Sequence, residues 1–308
     1  MLDWSKVENL VSAAGLFSLL IFPIVSGIPG VGYVVQTAAM FSVIFFSYRR
    51  HFVFFTIGSL GSIVLASLLF GFSLVLAGLW AITVIPGAVF GRLLNAGISP
   101  PRTFVVAVLI TIIISSMLFW GGRELFFQTL DGANQWVQSL LIVDGGGAGE
   151  NIELVNAVAS TIAVVKRLMP SLMALSGVGQ LFIGWICLVL VLKGLGEFSP
   201  TFGEFVYWKM PDYYIFLFGL FLLFRLIGTE LMRIVSDNFL LFLGFFYALF
   251  GFSVFEFYLK RIRLSLLLRV LFYAGLLLLQ LPGLILAAAV GLFDSYFDFR
   301  KVKARLIG

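Results

Sequence analysis

The chain has few of the side chains on which most metal and catalytic sites depend: among 308 residues there is one cysteine, Cys187, and one histidine, His51. No transition-metal site is predicted from so few ligands. Cys187 cannot form an intramolecular disulfide, and its apolar surroundings, GWICLVLVL, indicate a packing residue. A catalytic triad would need His51, which follows YRR and is interpreted as an interfacial cation. We therefore predict that the protein is not an enzyme and holds no cofactor.

Charge is also scarce, at 11% of residues, while 61% are hydrophobic. A soluble domain has about 25% charged residues. Because one core cannot bury so much apolar surface, the bilayer must be the solvent for most of it. The net charge of +5 reports sidedness, since cations gather at the ends of apolar runs, and no nucleic acid partner is predicted. The fold class is predicted to be an all-α polytopic integral membrane helical bundle.

Several recognisable sequence signals are missing. The start, MLDWSKVENL, lacks the cationic segment of a secretory signal, so the apolar run after it is predicted to be a retained first span. The glycine run in DGGGAGEN at 144–151 is not followed by Lys-Ser/Thr, so it is interpreted as a hinge and not as a phosphate loop. Work driven by ATP would therefore require a separate subunit.

Apolar runs of about 20 residues predict eight to ten transmembrane helices. The spans are expected near 10–26, 30–47, 52–70, 72–91, 103–120, 171–192, 213–225, 238–258 and 270–293.

The segment 121–170 differs in character, because it carries acids and bases among apolar residues that recur at helical spacing. It predicts two amphipathic helices that lie on the membrane surface or cap a cavity. The whole chain, 1–308, is predicted to be a single transmembrane domain with this extramembrane insertion.

Basic residues predict the side of each loop, because Lys and Arg concentrate in the cytoplasm. Placing 48–51 inside also places 92–102 and 260–263 inside. A single final crossing would then put FRKVKAR outside, against the rule. Alternatively, LQLPG at 279–283 is a sharp turn between short helices at 264–279 and 282–297, or a span is miscounted upstream. The sequence leaves these three possibilities open.

Polar residues within the spans are candidate substrate-binding residues, because ionisable groups there are costly. Gln36 and Gln180 could bond between helices or to a solute. Arg225 and Glu230 could lie deep or simply reach the interface. Glu256 could act on a solute or pair with Lys260 four residues later.

Small residues at four-residue spacing indicate close helix contacts. The patterns are GAVFG at 87–91, Ala14 with Ser18, and Gly58 with Ser62.

The stretch GLFDSYFDFRK at 291–301 combines acids, cations and aromatic rings. Asp294 and Asp298 share a helix face, and Lys301 is within ion-pair reach of Asp298. The rings predict an interfacial anchor at the end of a span. Alternatively, Asp294, Asp298 and Arg300 form an exposed surface for a partner.

Three segments carry a resemblance to a known family: SDNFLLFLGFFYALFGFSVFEFYLKR at 236–261, the closing GLFDSYFDFRK, and SYRRH with PGAVFGRLL in the front half. The chain resembles the YybS-like bacterial membrane proteins. More distantly, the front half resembles the S-components of energy-coupling-factor transporters and the rod-shape protein MreD. The resemblance implies a helical bundle with a solute cavity, or a cell-envelope scaffold. It also implies that Ala14 and Ser18 could dock a partner.

These observations favour a small-molecule transporter or substrate-binding subunit in the cytoplasmic membrane, with a separate ATPase module as a possible partner. The alternative is a scaffold or assembly factor that binds cell-envelope proteins and transports nothing. A cavity lined by Gln36, Gln180 or Arg225 would count against the scaffold.

Overall fold

The computed structural model describes residues 4–25, 31–70, 74–143, 148–197 and 203–301, and these residues contain helices but no β-strand. This result confirms the all-α fold class. Helices are expected, because a backbone in lipid must form its hydrogen bonds internally. The α-helices are α1 Trp4–Val25, α2 Val31–Arg49, α3 Phe52–Phe70, α4 Leu74–Asn95, α5 Pro100–Val143, α6 Ala148–Gly194, α7 Tyr214–Ile227, α8 Glu230–Arg261, α9 Leu266–Leu278 and α10 Leu281–Phe297, and a 3₁₀ turn covers Phe205–Tyr207.

The described helices confirm a multi-pass membrane protein. Five are long and apolar enough to cross a bilayer, and the bent pair α9 and α10 would make a sixth span if it counts as one. Three shorter apolar helices accompany them, at Glu8–Phe22, Val53–Leu69 and Tyr214–Ile227.

Packing divides the chain into two compact units, unit 1 at Met1–Thr201 and unit 2 at Phe202–Gly308. Unit 1 contains α1 to α6, and unit 2 contains the 3₁₀ turn and α7 to α10. Whether the two units form one transmembrane domain depends on how they are joined, so the single domain stays a prediction.

Helix α2 lies at the centre of unit 1, where it packs against α1, α4 and α6. The GAVFG motif of α4 makes one of these contacts. A Cβ on Gly91 would lie 2.4 Å from the carbonyl oxygen of Ile44, and one on Gly87 would lie 2.9 Å from the sulfur of Met40. The two glycines therefore allow α4 to approach the backbone of α2, as the spacing predicts.

The segment 121–170 is helical on both sides of the glycine run, as predicted, but neither helix is separate from its neighbouring span. Residues 121–143 continue the fifth span as α5, and 148–170 lead directly into the sixth as α6. The helices have 44 and 47 residues, which makes each of them more than 60 Å long, about twice the thickness of a bilayer core. They pack together, and Lys166 of α6 pairs with Asp131 of α5 in this extension. The predicted helices are therefore present, but each continues a span, and α6 does so through Pro170, which lies inside the helix. Their placement on the membrane surface or over a cavity stays a prediction.

The last two helices of unit 2 form a sharp hairpin, because α9 and α10 are bent by 111° at a short break. Gln280 at this break has a positive φ of 52°, which residues other than glycine rarely adopt. Helix α9 starts five residues after α8 ends, and beyond α10 the hydroxyl of Tyr258 in α8 donates to the carbonyl of Phe299 at 3.3 Å. The chain therefore returns to the end of α8 from which it departed. This geometry agrees with the hairpin alternative and removes the conflict with the positive-inside rule.

The hairpin predicts that residues 263 and 301 lie on the same side of the membrane. In a Cys187→Ser background, the single substitutions Arg263→Cys and Lys301→Cys should react with a membrane-impermeant maleimide from that side. Glu230→Cys, at the opposite end of the 32-residue α8, should react from the other side. Labelling of residue 301 together with residue 230 would contradict the hairpin.

Helices α8 and α10 make the closest contact in unit 2. A Cβ on Gly251 would lie 1.8 Å from the carbonyl oxygen of Ala287, and one on Gly291 would lie 2.0 Å from that of Tyr247. No real Cβ can occupy such positions, so any side chain at these glycines would force the helices apart.

We expect Gly251→Ala to destabilise the protein by about 1–3 kcal/mol or more, because overpacking displaces the backbone. Gly244→Ala is the matched control, because a Cβ there meets nothing within 4 Å in the same helix. Unfolding midpoints in detergent measure both, and equal midpoints would refute the close contact.

Candidate functional site

A buried arginine connects the two ends of unit 2. Nε and Nη2 of Arg300 donate to one carboxylate oxygen of Asp294 at 3.2 and 2.8 Å. Its Nη1 donates to the carbonyl of Val206 and to the hydroxyl of Ser253, both at 2.5 Å. Nη2 also donates to the carbonyl of Trp208 at 2.7 Å. A guanidinium has five N–H donors, so every donor of Arg300 is occupied.

These bonds overturn the alternative of an exposed docking surface for Asp294 and Arg300. Asp294 and Arg300 are 1% and 2% exposed, so neither is available to a partner. Their pair fixes the segment after α10 against α8 and against the 3₁₀ turn. We name Arg300, Asp294, Ser253, Val206 and Trp208 the arginine cluster.

Asp298 and the aromatic rings lie beside the arginine cluster. Asp298 pairs with Lys209 at 3.1 Å and not with Lys301, the partner expected from spacing. The rings of the closing stretch are exposed, as an interfacial anchor requires. They belong to Phe293, Tyr296, Phe297 and Phe299.

An open pocket of about 740 Å³ lies against the arginine cluster. Cationic side chains contribute much of its lining: Lys260 and Arg261 at the end of α8, and Arg300 and Lys301 after α10. Aromatic rings line it too, and among the lining residues Glu204 is the acid. The aromatic lining residues are Tyr207, Phe257 and Phe299. The hairpin creates this pocket, because it brings two separate basic segments to one place.

The cations of the pocket differ in what they already bind. Arg300 is saturated, whereas the side chains of Arg261 and Lys301 are exposed and meet no hydrogen-bonding or ionic partner among the described residues. Lys260 is 53% exposed and lies 3.8 Å from Glu256. Three cations are therefore available to a ligand.

The carboxylate of Glu256 forms structural bonds to α9. It accepts from Nη1 of Arg269 at 2.8 Å and from the hydroxyl of Tyr273 at 3.0 Å. The expected pair with Lys260 is present, but it is longer than the bond to Arg269. Glu256 thus connects α8 to α9, and the pocket lining does not include it.

Arg225 and Glu230 lie near the other end of α8. Arg225 of α7 pairs with Asp237 of α8 at 2.5 Å and is 44% exposed, so this cation is not buried without a partner. Glu230 is exposed in the first turn of α8, after the N-cap Thr229. The structure does not bring Arg225 or Glu230 to the pocket.

Gln36 and Gln180 meet inside unit 1. Nε2 of Gln180 donates to Oε1 of Gln36 at 3.1 Å, and Nε2 of Gln36 donates to the hydroxyl of Thr83 at 3.0 Å. The chain of bonds ends at the carbonyl of Leu79, to which Thr83 donates. Oε1 of Gln180 is buried and has no partner within the described part of the chain. The interhelical bond that the sequence suggested is therefore present, across α2, α4 and α6.

The small residues of α1 have separate environments. Ser18 is buried and lies 3.0 Å from the hydroxyl of Ser42 in α2, so it packs within unit 1. Ala14 is exposed. Of the two residues expected to dock a partner, Ala14 alone lies on the surface.

The sequence is similar over most of its length to one protein family. The model described as "Predicted membrane protein (DUF2232)" matches residues 15–295. The chain belongs to this family. No curated protein and no solved structure matches it. This match confirms the expectation that the chain belongs to a family of membrane proteins.

Sequence reasoning missed the pocket, although it placed the basic loop at 260–263 on the cytoplasmic side. The signal that could have located the pocket is the LQLPG turn, because a hairpin there places both basic segments at one end of unit 2. Among the described residues, no three His, Cys, Asp or Glu side chains come together as metal ligands would.

The arginine cluster predicts a large cost for Asp294→Asn, because the charge of Arg300 would remain buried without its counterion. Loss of one partner of a buried pair costs about 3–5 kcal/mol. The control is Asp131→Asn, whose pair with Lys166 is exposed and contributes less than about 1 kcal/mol. Unfolding midpoints in detergent compare the two, and similar shifts would contradict the role given to the cluster.

Proposed function

We propose that the protein is a small-molecule transporter or substrate-binding subunit of the cytoplasmic membrane, and that its solute binds in the pocket of unit 2. The observation that carries this proposal is the pocket itself. Its volume of about 740 Å³ falls within the range of about 300–1,000 Å³ that is typical of small-molecule sites. Its lining also combines apolar rings with a few charged groups, as such sites do.

The rigidity of the site supports the same function. The arginine cluster holds Val206 and the segment around Phe299, which line the pocket, against α8, the helix that supplies Phe257, Lys260 and Arg261. A ligand therefore meets positions set in advance, which lowers the ordering cost of binding.

The amide chain of Gln36 and Gln180 gives separate support from unit 1. The carbonyl oxygen of Gln180 has no donor among the residues that the structure describes, and such a buried group is costly in the membrane, where no bulk water can replace the missing bond. Such a group inside a span is a candidate for contact with a solute or water during passage. The resemblance to S-components agrees with this interpretation. By the same resemblance, we propose that a separate ATPase module supplies the energy for transport. We propose no catalytic role.

The test is purification from native membranes in mild detergent, followed by native mass spectrometry. We expect a bound small molecule on the wild type. In Phe257→Ala/Phe299→Ala its occupancy should fall roughly five- to tenfold, because apolar contact is lost. Phe293→Ala/Phe297→Ala is the control, since these neighbouring rings are exposed and do not line the pocket. Wild type that carries protein partners and no small molecule would overturn the proposal.

A scaffold of the cell envelope is the second candidate, and the long helix pair formed by α5 and α6 favours it. This helix pair extends well beyond a bilayer core and exposes Leu125, Trp136 and Leu154. Exchanging these three residues for serine should release a protein partner if the chain is a scaffold. If the chain is a transporter, the same exchange should leave the bound small molecule in place.

A further inference from the structure

We propose that the pocket of unit 2 binds a phosphate-bearing organic ligand, with the phosphate on Lys260, Arg261 and Lys301 and the organic part on the aromatic rings. This inference rests on the proposed function, because it names the chemical class of ligand for the same site.

The free cations are the first support. Arg300 has no donor left for a ligand, so its task is to position its neighbours. Arg261 and Lys301 bind nothing within the described residues, and Lys260 is not needed by Glu256, which already holds Arg269 and Tyr273. Fold stability does not explain why Arg261, Lys301 and the loosely paired Lys260 line one pocket, because like charges repel.

The charge balance indicates a dianion. The charge of Arg300 is compensated by Asp294, which leaves three cations against Glu204, a net charge of +2. A phosphate monoester carries about −1.5 to −2 at neutral pH. A carboxylate carries a single charge and would leave positive charge unmatched. In addition, the planar guanidinium of Arg261 can bind two phosphate oxygens at once.

The rings indicate that the ligand is organic and not a bare ion. Tyr207 and Phe257 contact each other edge to face, with ring centroids 6.3 Å apart, and both line the pocket. Phe299 adds a third ring, and its segment is held by the bond between its carbonyl and Tyr258. Such rings offer contact to an acyl chain, a glycerol backbone or a planar ring beside the phosphate.

Two sources can supply this chemistry: the headgroup of an anionic lipid, or a soluble phosphate compound. The pocket lies where α8 and α10 end, and exposed aromatic residues occupy the last turns of α10 and the segment after it, so the pocket is placed at headgroup level. The experiment therefore distinguishes a lipid from a free phosphate.

The experiment uses the delipidated full-length protein in detergent, with native mass spectrometry of bound adducts. The probes are inorganic phosphate, phosphatidic acid, phosphatidylglycerol, phosphatidylcholine and oleate. We expect phosphatidic acid, a monoester, to bind more tightly than phosphatidylglycerol, a diester with one negative charge. Phosphatidylcholine and oleate should bind more weakly than either. If inorganic phosphate also binds, the pocket accepts a soluble phosphate compound. If only the lipid phosphates bind, the ligand is a lipid headgroup. Both outcomes support the proposal.

The decisive variant is Lys260→Gln/Arg261→Gln/Lys301→Gln. Each lost cation should weaken phosphatidic acid binding roughly tenfold, because a charge-assisted hydrogen bond disappears. Arg102→Gln/Lys193→Gln/Arg233→Gln removes the same charge from exposed positions outside the pocket and serves as the control. Equal binding by the two triple variants would overturn the proposal, as would oleate binding as tightly as phosphatidic acid. An unchanged unfolding midpoint establishes that the pocket variant is folded.

Failure of this inference is distinguishable from failure of the proposed function. A co-purified solute without phosphate, lost from the Phe257→Ala/Phe299→Ala variant, would preserve the function and overturn the ligand class. Phosphate binding that depends on the three cations, on a protein that carries no solute from its native membrane, would preserve the site and overturn the transport role.

Discussion

The buried guanidinium of Arg300 is the constraint on which the end of unit 2 depends. A charge withdrawn from water in or near a membrane is tolerated only with a counterion and with all its donors satisfied. Asp294 supplies the charge, while Ser253 and two backbone carbonyls complete the five bonds. Because these partners come from three separate parts of the chain, the requirement of one side chain fixes α8, α10 and the 3₁₀ turn relative to each other.

Close backbone packing makes this arrangement possible. Gly251 and Gly291 let α8 and α10 touch without intervening side chains, which brings Asp294 beside α8. The break at Gln280 turns the chain back, so that the basic end of α8 and the basic segment after α10 meet. The pocket is thus a product of the hairpin, and it would not exist if α9 and α10 formed one straight span.

The sequence predicted those features of the fold that depend on composition and local spacing. Apolar run lengths predicted the helices, GAVFG predicted the contact between α2 and α4, and LQLPG offered the hairpin as one of three possibilities. Features that depend on distant partners could not be predicted in this way. The spacing of Asp298 and Lys301 suggested a pair, but Lys209, almost ninety positions earlier, takes Asp298 instead. Asp294 and Arg300 likewise resembled exposed interfacial charges, because nothing local reveals that Ser253 and the carbonyl of Val206 will surround them.

The division between cations that the fold compensates and cations that are exposed at the pocket connects the fold to the proposed function. Arg300 donates all five N–H groups to the protein, and Arg269 pairs with Glu256, so both charges are compensated within the fold. Lys260, Arg261 and Lys301 are exposed and contribute little to stability, since exposed charges rarely do. Ligand chemistry at this pocket can therefore change through these three positions while the hairpin and its arginine cluster stay intact. A site of this kind depends on two residue sets that are tested independently: one by stability and the other by binding.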